Sequence, residues 1–229
     1  LGGLPVDENG RVVLQSWARW FTGLYAAGSA SSSGFHGADV LQGNRLLDAI
    51  AGGEAAGSHA ADWIVKRKFT GAAKLEEAFG LAEAELSMLG EETEGAVQRL
   101  NPVVTRLKEI LTSLQTPATV ASDYEQALEV LEQLSVQGEQ LYCDQTSLIA
   151  NQNLLEILRT QSAIRMVSAY VQSALQRTES RGLHQRSDFP QSDDEQLHHN
   201  LIFNDGTCTT LALRKGPSGN WILSPSSAV

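Results

Sequence analysis

The stretch LLEILRTQSAIRMVSAYVQSAL, residues 154–175, decides the fold. Its Leu154, Ile157, Leu158, Ile164, Val167, Val171 and Leu175 recur at the three- and four-residue steps that line one face of an α-helix. Such a face must be buried, so partner helices are expected nearby. Working outward, Tyr124, Leu128, Leu131 and Leu134 form a second stripe, with Ser122 or Asp123 as its N-cap. Val103, Leu107, Ile110 (or Leu111) and Leu114 form a third, with Pro102 in the first turn. Leu75, Phe79, Ala82, Leu86 and Leu89 form a fourth. Thr116-Pro117 and Gly138 punctuate the stripes. The spacing predicts an antiparallel bundle of three or four helices over residues 72–178, with its Met and aromatic side chains in the core.

On the amino-terminal side the composition shifts. Residues 1–65 are rich in Gly, Ala and Ser. Asp7-Glu8-Asn9-Gly10 is a turn, followed by a strand at Arg11–Leu14. Gly23–Gly28 reads as a short buried strand, Ser29–Gly37 as a loop and Asn44–Ile64 as a helix. Gly52, Gly53 and Gly57 weaken that helix and imply the close approach of another backbone. These elements cannot close a sheet of their own, because the crossovers between parallel strands are missing. They read as the end of a larger α/β domain. The opening Leu1-Gly2-Gly3-Leu4-Pro5 has no initiating Met and no signal-type pattern, which suggests a fragment or a trimmed chain.

On the carboxy-terminal side the periodicity ends. Arg177–Asp194 is dense in charge, and Asn204-Asp205-Gly206 between two apolar runs is a hairpin signal. The last dozen residues are Ser, Pro and Gly, expected to fray. The domain reading is therefore 1–65, 72–178 and 179–229.

Among 229 residues, 27 acidic side chains against 17 basic ones leave a net charge of −10. That balance argues against nucleic acid and against an anionic membrane as the main partner. No apolar run is long enough to span a bilayer. Two cysteines, Cys143 and Cys208, exclude a disulfide scaffold or a Cys-rich zinc site and favour a cytoplasmic setting. No P-loop, GxGxxG, HExxH or GxSxG motif is present. The adjacent His198-His199 would face opposite sides of a strand, so no metal site is expected.

Two segments carry a resemblance. Gly23-Leu24-Tyr25-Ala26-Ala27-Gly28, His36-Gly37-Ala38, Asn44 and Leu46-Leu47-Asp48 form the first. Arg177-x-Glu179-Ser180-Arg181-Gly182-x-His184-x-Arg186-x-Asp188-x-Pro190 with Asp193-Asp194 is the second, and it is long and specific. Together they resemble the succinate dehydrogenase/fumarate reductase flavoprotein family, which includes L-aspartate oxidase. The resemblance implies a mostly α chain: a helical bundle attached to the end of an FAD-binding domain. It implies FAD in the complete protein, not held by this fragment alone. It also implies hydride transfer to or from a small dicarboxylic acid and an iron–sulfur subunit as partner. Placement would be cytoplasmic or peripheral at the inner face of a membrane. The family's GxGxxG fold, capping domain, catalytic Arg and any covalent attachment His would lie upstream.

By that resemblance His36 and Arg181 are the candidate catalytic residues. Gly28, Ser29, Gly43, Asn44, Arg45 and Leu46 are the candidate FAD contacts. Three positions depart from the pattern, one of them Arg45, which stands where the family has a Ser and faces flavin, a phosphate or, by preference, solvent. Ser29 stands where the family has a Glu near the flavin ribityl chain, and Val40 where it has an Arg gripping a substrate carboxylate. A Val cannot make that bidentate bond. L-aspartate oxidase and a non-catalytic helical docking module are the alternatives. Gly23–Asp48 reads as a strand, loop and helix start that presents backbone N–H groups to an anion or a ring oxygen, and for the charged Arg177–Asp194 the default is a loop pinned by ion pairs on a neighbouring surface. Arg177–Asp194 is further expected to leave the last long helix at Gly182 and fold back toward His36 and Asn44. Glu179 and Arg181 would then point to different sides of the chain.

Overall fold

The computed structural model describes residues 2–15, 19–68, 71–88, 98–116, 118–144, 147, 149–212, 214–215 and 221–222. Two compact units divide the chain: residues 1–68 with 176–229, and residues 69–175.

The first unit opens with four short strands, β1 (Leu4–Pro5), β2 (Arg11–Val13), β3 (Trp20–Tyr25) and β4 (Ser31–Ser32). They pair as two separate ladders, β1 parallel with β4 and β2 antiparallel with β3. No larger sheet closes among the described residues, in keeping with the missing crossovers. Strand β3 begins earlier than Gly23 and is largely exposed rather than buried. Helix α1 spans Asn44–Ile64. Its Leu46, Leu47 and Ile50 lie exposed, and only Ala56 is buried. The expected close approach is real, but the glycines that allow it are on the loops. A Cβ on Gly10 (φ +68°) would fall 2.6 Å from the Ala56 Cβ, and one on Gly28 (φ +61°) 3.1 Å from the Ala49 Cβ. Of the helix glycines, Gly52 faces Ala27, whose Cβ would lie 3.6 Å from an added Cβ, an ordinary contact, while around Gly53 and Gly57 there is open space.

The second unit holds α2 (Ala72–Met88), α3 (Leu100–Ser113), α4 (Ala121–Glu139) and most of α5 (Gln152–Gln176). Val103, Leu107, Ile110, Leu131, Leu134, Ile157, Ile164 and Val171 interlock as one core from α3, α4 and α5. Three of the four stripes thus build the bundle. The stripe on α2 does not join that core: Leu75 and Phe79 are exposed, and Leu89 lies outside the described residues. Tyr124 is a core aromatic, but Met166 and Tyr170 are exposed because they fall off the buried stripe of α5, and Phe79 is exposed with the rest of the described α2 stripe. Gly138 lies in the last turn of α4, one residue before its end at Glu139, in keeping with its punctuating place in the sequence. A Cβ there would meet Ile164 Cδ1 at 3.1 Å, and its carbonyl accepts a 2.9 Å bond from Gln161 Nε2. Helix α4 starts after Val120, whose N–H donates to the Asp123 carboxylate at 2.8 Å, so Asp123 sits in the first turn rather than at the cap.

Helix α5 stops at Gln176, six residues before Gly182. Beyond it, β5 (His198–Ile202) pairs antiparallel with β6 (Cys208–Ala212) around the expected Asn204-Asp205-Gly206 turn. Leu201 and Leu211 of this hairpin pack on Val13 of β2. A last ladder joins β7 (Arg214–Lys215) and β8 (Trp221–Ile222), and the rest of the tail expected to fray lies outside the described residues.

Leu131→Ala or Ile157→Ala should lower stability by about 2–5 kcal/mol, the cost of an unfilled core site. Met166→Ala, on the exposed side of α5, should change it by no more than about 0.5 kcal/mol. Urea unfolding followed by helical circular dichroism compares the three.

Candidate functional site

The end of α5 leads into a knot of charge built on one side chain. Glu179 is fully buried. Its Oε1 lies 3.1 Å from Arg177 Nη2, and its Oε2 accepts from Arg181 Nε at 3.0 Å and from the Asp193 N–H at 2.9 Å. Arg177 also donates to the carbonyls of Gln196 and His198, and Arg181 Nη2 pairs with Asp194 at 2.9 Å. These bonds draw the chain out of helical geometry after Gln176, which is why α5 ends well short of Gly182. They also turn Arg181 onto Glu179, so the two face each other instead of bridging opposite sides.

A second buried cation lies beside this knot. Arg186, 2% exposed, holds Asp188 bidentately at 2.9 and 2.6 Å and donates to the Arg177 carbonyl at 2.9 Å. Its guanidinium sits 4.7 Å from the centre of the Phe189 ring. The Ser180 hydroxyl donates to the Phe189 carbonyl at 2.7 Å and accepts from the Arg186 N–H at 2.8 Å. The motif residues thus satisfy one another.

The other motif surrounds the start of α1. Gly43, at φ +89°, precedes the helix; no side chain caps it and its first turn carries no acidic residue. The helix therefore presents its positive end with Asn44, Arg45 and Leu46 around it. Gly28 is buried on α1, and Ser29 follows it in a short 3₁₀ turn. The Nε2 of His36 is buried and lies 3.4 Å from Asp48 Oδ2, within ion-pair distance but outside hydrogen-bond geometry. Asp48 sits one turn into α1, where it can orient the ring.

The two motifs meet. Residues 181–184 form a tight turn, the Arg181 N–H donating to the His184 carbonyl at 2.7 Å and the His184 N–H to Arg181 at 3.0 Å. Gly182 occupies that turn at φ +56°, and its α-carbon backs onto Ala38. The charged segment does fold back toward the His36 loop, as its sequence suggests. Arg181 meets Glu179 and Asp194, however, and no described contact joins it to His36. Glu179, Arg186 and Asp48 stand in the motifs read from sequence, but none of them is given a site role there. A lone acidic residue flanked by arginines two positions to either side, Arg177-x-Glu179-x-Arg181, was the available signal for the first.

Residues 104–217 match the family described as fumarate reductase flavoprotein C-term, and residues 1–46 match the FAD binding domain. A fumarate reductase flavoprotein subunit of Mycobacterium tuberculosis is 30% identical over 213 residues, which cover 90% of this chain and 35% of that protein. A succinate dehydrogenase flavoprotein subunit of Coxiella burnetii is 29% identical over 242 residues, covering 96% and 38%. The chain belongs to the succinate dehydrogenase/fumarate reductase flavoprotein family. A mutated E. coli quinol fumarate reductase has the same fold, with a TM-score of 0.78 at 21% identity over 99% of this chain and 37% of that one. The chain thus spans little more than a third of the length of the relatives it matches.

Family membership points to FAD in the complete flavoprotein. The residues present fit an electron-rich ring edge: an uncapped helix start at Gly43, without acidic neighbours in the first turn, suits one. The flavoprotein chain has no helix among its described residues that is long and apolar enough to cross a membrane. Nor does any group of three potential ligands among them gather to hold a metal.

Electrostatics of the knot set an acid limit for this flavoprotein chain. Burial pushes the Glu179 carboxyl up, but the Asp193 N–H, the Arg181 hydrogen bond and the charges of Arg177 and Arg181 outweigh it, so its pKa falls below 4.5. Burial, then Arg177 and His198, push His199 down to about 4. Both groups bind protons more tightly when unfolded, so each stabilises the fold at higher pH and that contribution is lost as pH falls. His199 loses its share between about 6.5 and about 4, and Glu179 below 4.5. Denaturant unfolding as a function of pH should show both losses. Glu179→Gln should cost about 3–5 kcal/mol near neutrality by stripping one partner from a buried pair. It should also remove the Glu179 share of the slope below 4.5 while leaving the His199 slope, which runs down to about 4, in place.

Proposed function

We propose that this chain is part of an FAD-dependent oxidoreductase that moves a hydride between flavin and a small dicarboxylic acid. The reading rests on the pairing of an uncapped α1 start with the His36 loop in a chain of this family. Bound flavin supplies the hydride acceptor and donor. The N–H groups at Gly43, Arg45 and Leu46 would face the ring's electron-rich edge and favour negative charge there, while the Asn44 N–H donates to the Leu41 carbonyl at 3.0 Å and holds the turn that starts the helix. Gly28 and Ser29 follow β3 as backbone contacts to the cofactor. His36 lines the substrate side of the loop, with Asp48 holding its ring orientation. Arg181 acts through Glu179 and Asp194, as a positioning residue for the turn that backs onto the loop.

The substrate side is where this chain differs. Val40 supplies no cation for a carboxylate, so a succinate-like substrate is held by fewer charged groups than the family pattern provides. An iron–sulfur electron-transfer subunit is the proposed partner, and attachment at the periphery of a membrane the proposed setting. L-aspartate oxidation is the neighbouring reading within the same chemistry.

The test uses the full-length gene product. It should purify yellow, with a flavin absorbance that succinate or L-aspartate bleaches and fumarate restores; colourless protein would sink the reading. Val40→Arg should lower the KM for succinate or fumarate by about tenfold or more, the value of one charged hydrogen-bonded pair. Steady-state kinetics on both variants measures it.

A further inference from the structure

We infer that Gly182 is a positioning residue: the bare α-carbon of the 181–184 turn fixes the loop that carries His36. The inference rests on the proposed role of that loop, but the contact itself is geometric. A Cβ built on Gly182 would lie 3.0 Å from the Ala38 Cβ and 3.2 Å from both the Ala38 carbonyl carbon and its oxygen. Two of those three atoms are backbone, so they yield only if the loop moves. Ala38 is two residues from His36, and the displacement would pass directly into the chain that sets the imidazole.

The turn cannot retreat instead. Its two ends are tied by the reciprocal Arg181–His184 backbone bonds, and Gln185 Nε2 closes it with a 2.8 Å bond to the Gly182 carbonyl. Arg181 is anchored to Glu179, which is fully buried. Below the turn, Arg186 is locked to Asp188 and to the Arg177 carbonyl. One wall of the contact is therefore rigid, and the other, the exposed stretch around Gly37, Asp39 and Leu41, is not. Gly182 also has φ +56° with Leu183 at negative φ, the pattern of a two-residue turn with glycine at its first central position. Two separate demands thus fall on one glycine: the turn's backbone and the space against Ala38. A substitution at 182 must be tested so that the two are separated.

The experiment uses the full-length protein as wild type, Gly182→Ala, and Gly182→Ala with Ala38→Gly. The second change removes the Cβ that the new methyl meets but does nothing for turn strain. Hydrogen–deuterium exchange of the peptide spanning residues 34–42 reads the contact without needing turnover. It should rise several-fold in Gly182→Ala and fall part of the way back in the double variant, where the Cβ contact at 3.0 Å is gone and the backbone contacts at 3.2 Å remain. Unchanged exchange in Gly182→Ala, or a rise that the double variant does not reduce at all, overturns the inference. Turnover reads the consequence. A shift of a few tenths of an ångström at His36 should lower kcat/KM roughly three- to tenfold, since about 1 Å costs about a hundredfold. Flavin content should be unchanged and the loss partly reversed in the double variant. Wild-type protein that carries flavin yet leaves every dicarboxylate untouched would remove the proposed reaction, and the exchange result would still decide the contact.

Discussion

The structure of the first unit turns on a single buried carboxylate. Glu179 has no exposed surface, and an ionised group taken out of water is stable only if several partners replace its hydration. Arg177, Arg181 and the Asp193 N–H do this, and each is itself bound elsewhere, to the carbonyls of Gln196 and His198 and to Asp194. The consequence is topological. The demand for partners from positions 177, 181, 193 and 194 folds a highly charged stretch into a closed knot, ends α5 at Gln176, and delivers β5 to the β2 strand where Leu201 and Leu211 meet Val13. Exposed ion pairs, worth ~0–1 kcal/mol each, could not have held such a path.

How much of this could be read from sequence follows from how local each signal is. The α3, α4 and α5 stripes were legible because a buried helix face repeats within a dozen residues, and the hairpin because Asn-Asp-Gly between apolar runs is a turn in almost any context. Helix α1 was legible to the residue. The α2 stripe has the same periodicity, yet Leu75 and Phe79 are exposed, since periodicity shows that a face exists and not that something covers it. Gly138 marks the end of α4, as its weak helix propensity implies, and it also admits the close approach of Ile164, a contact between distant residues that the local pattern does not show.

The candidate site shows the same division. That Gly28 and Gly43 sit at special backbone positions is visible from the type of residue and confirmed by their positive φ. That Asp48 stands beside His36, or that Gly182 meets Ala38, depends on chain folding over twelve and 144 positions and has no local signature. The charged motif invited a surface reading because charge usually means solvent. Its spacing of alternate Arg, Glu and Arg says something narrower: charges of opposite sign so close in sequence can neutralise one another and be buried together.

The departures from the family pattern sort by the kind of group they affect. Contacts made by backbone N–H groups survive almost any side-chain change, provided the turn that aims them keeps its glycine. Gly28 and Gly43 hold positive φ here, and Asn44 is the first residue of the uncapped α1. Contacts made by side chains do not survive, and it is side chains that differ, with Ser29 in place of a Glu and Val40 in place of an Arg. A helix start holds a ring edge by its geometry, whereas a carboxylate is selected by a matched cation. On the proposed reading, the half of the site that would orient a cofactor depends mainly on backbone geometry, and the half that would choose a substrate depends on side chains. Val40 falls in the second half, and Ser29 beside the first, where a side-chain change leaves the backbone donors in place.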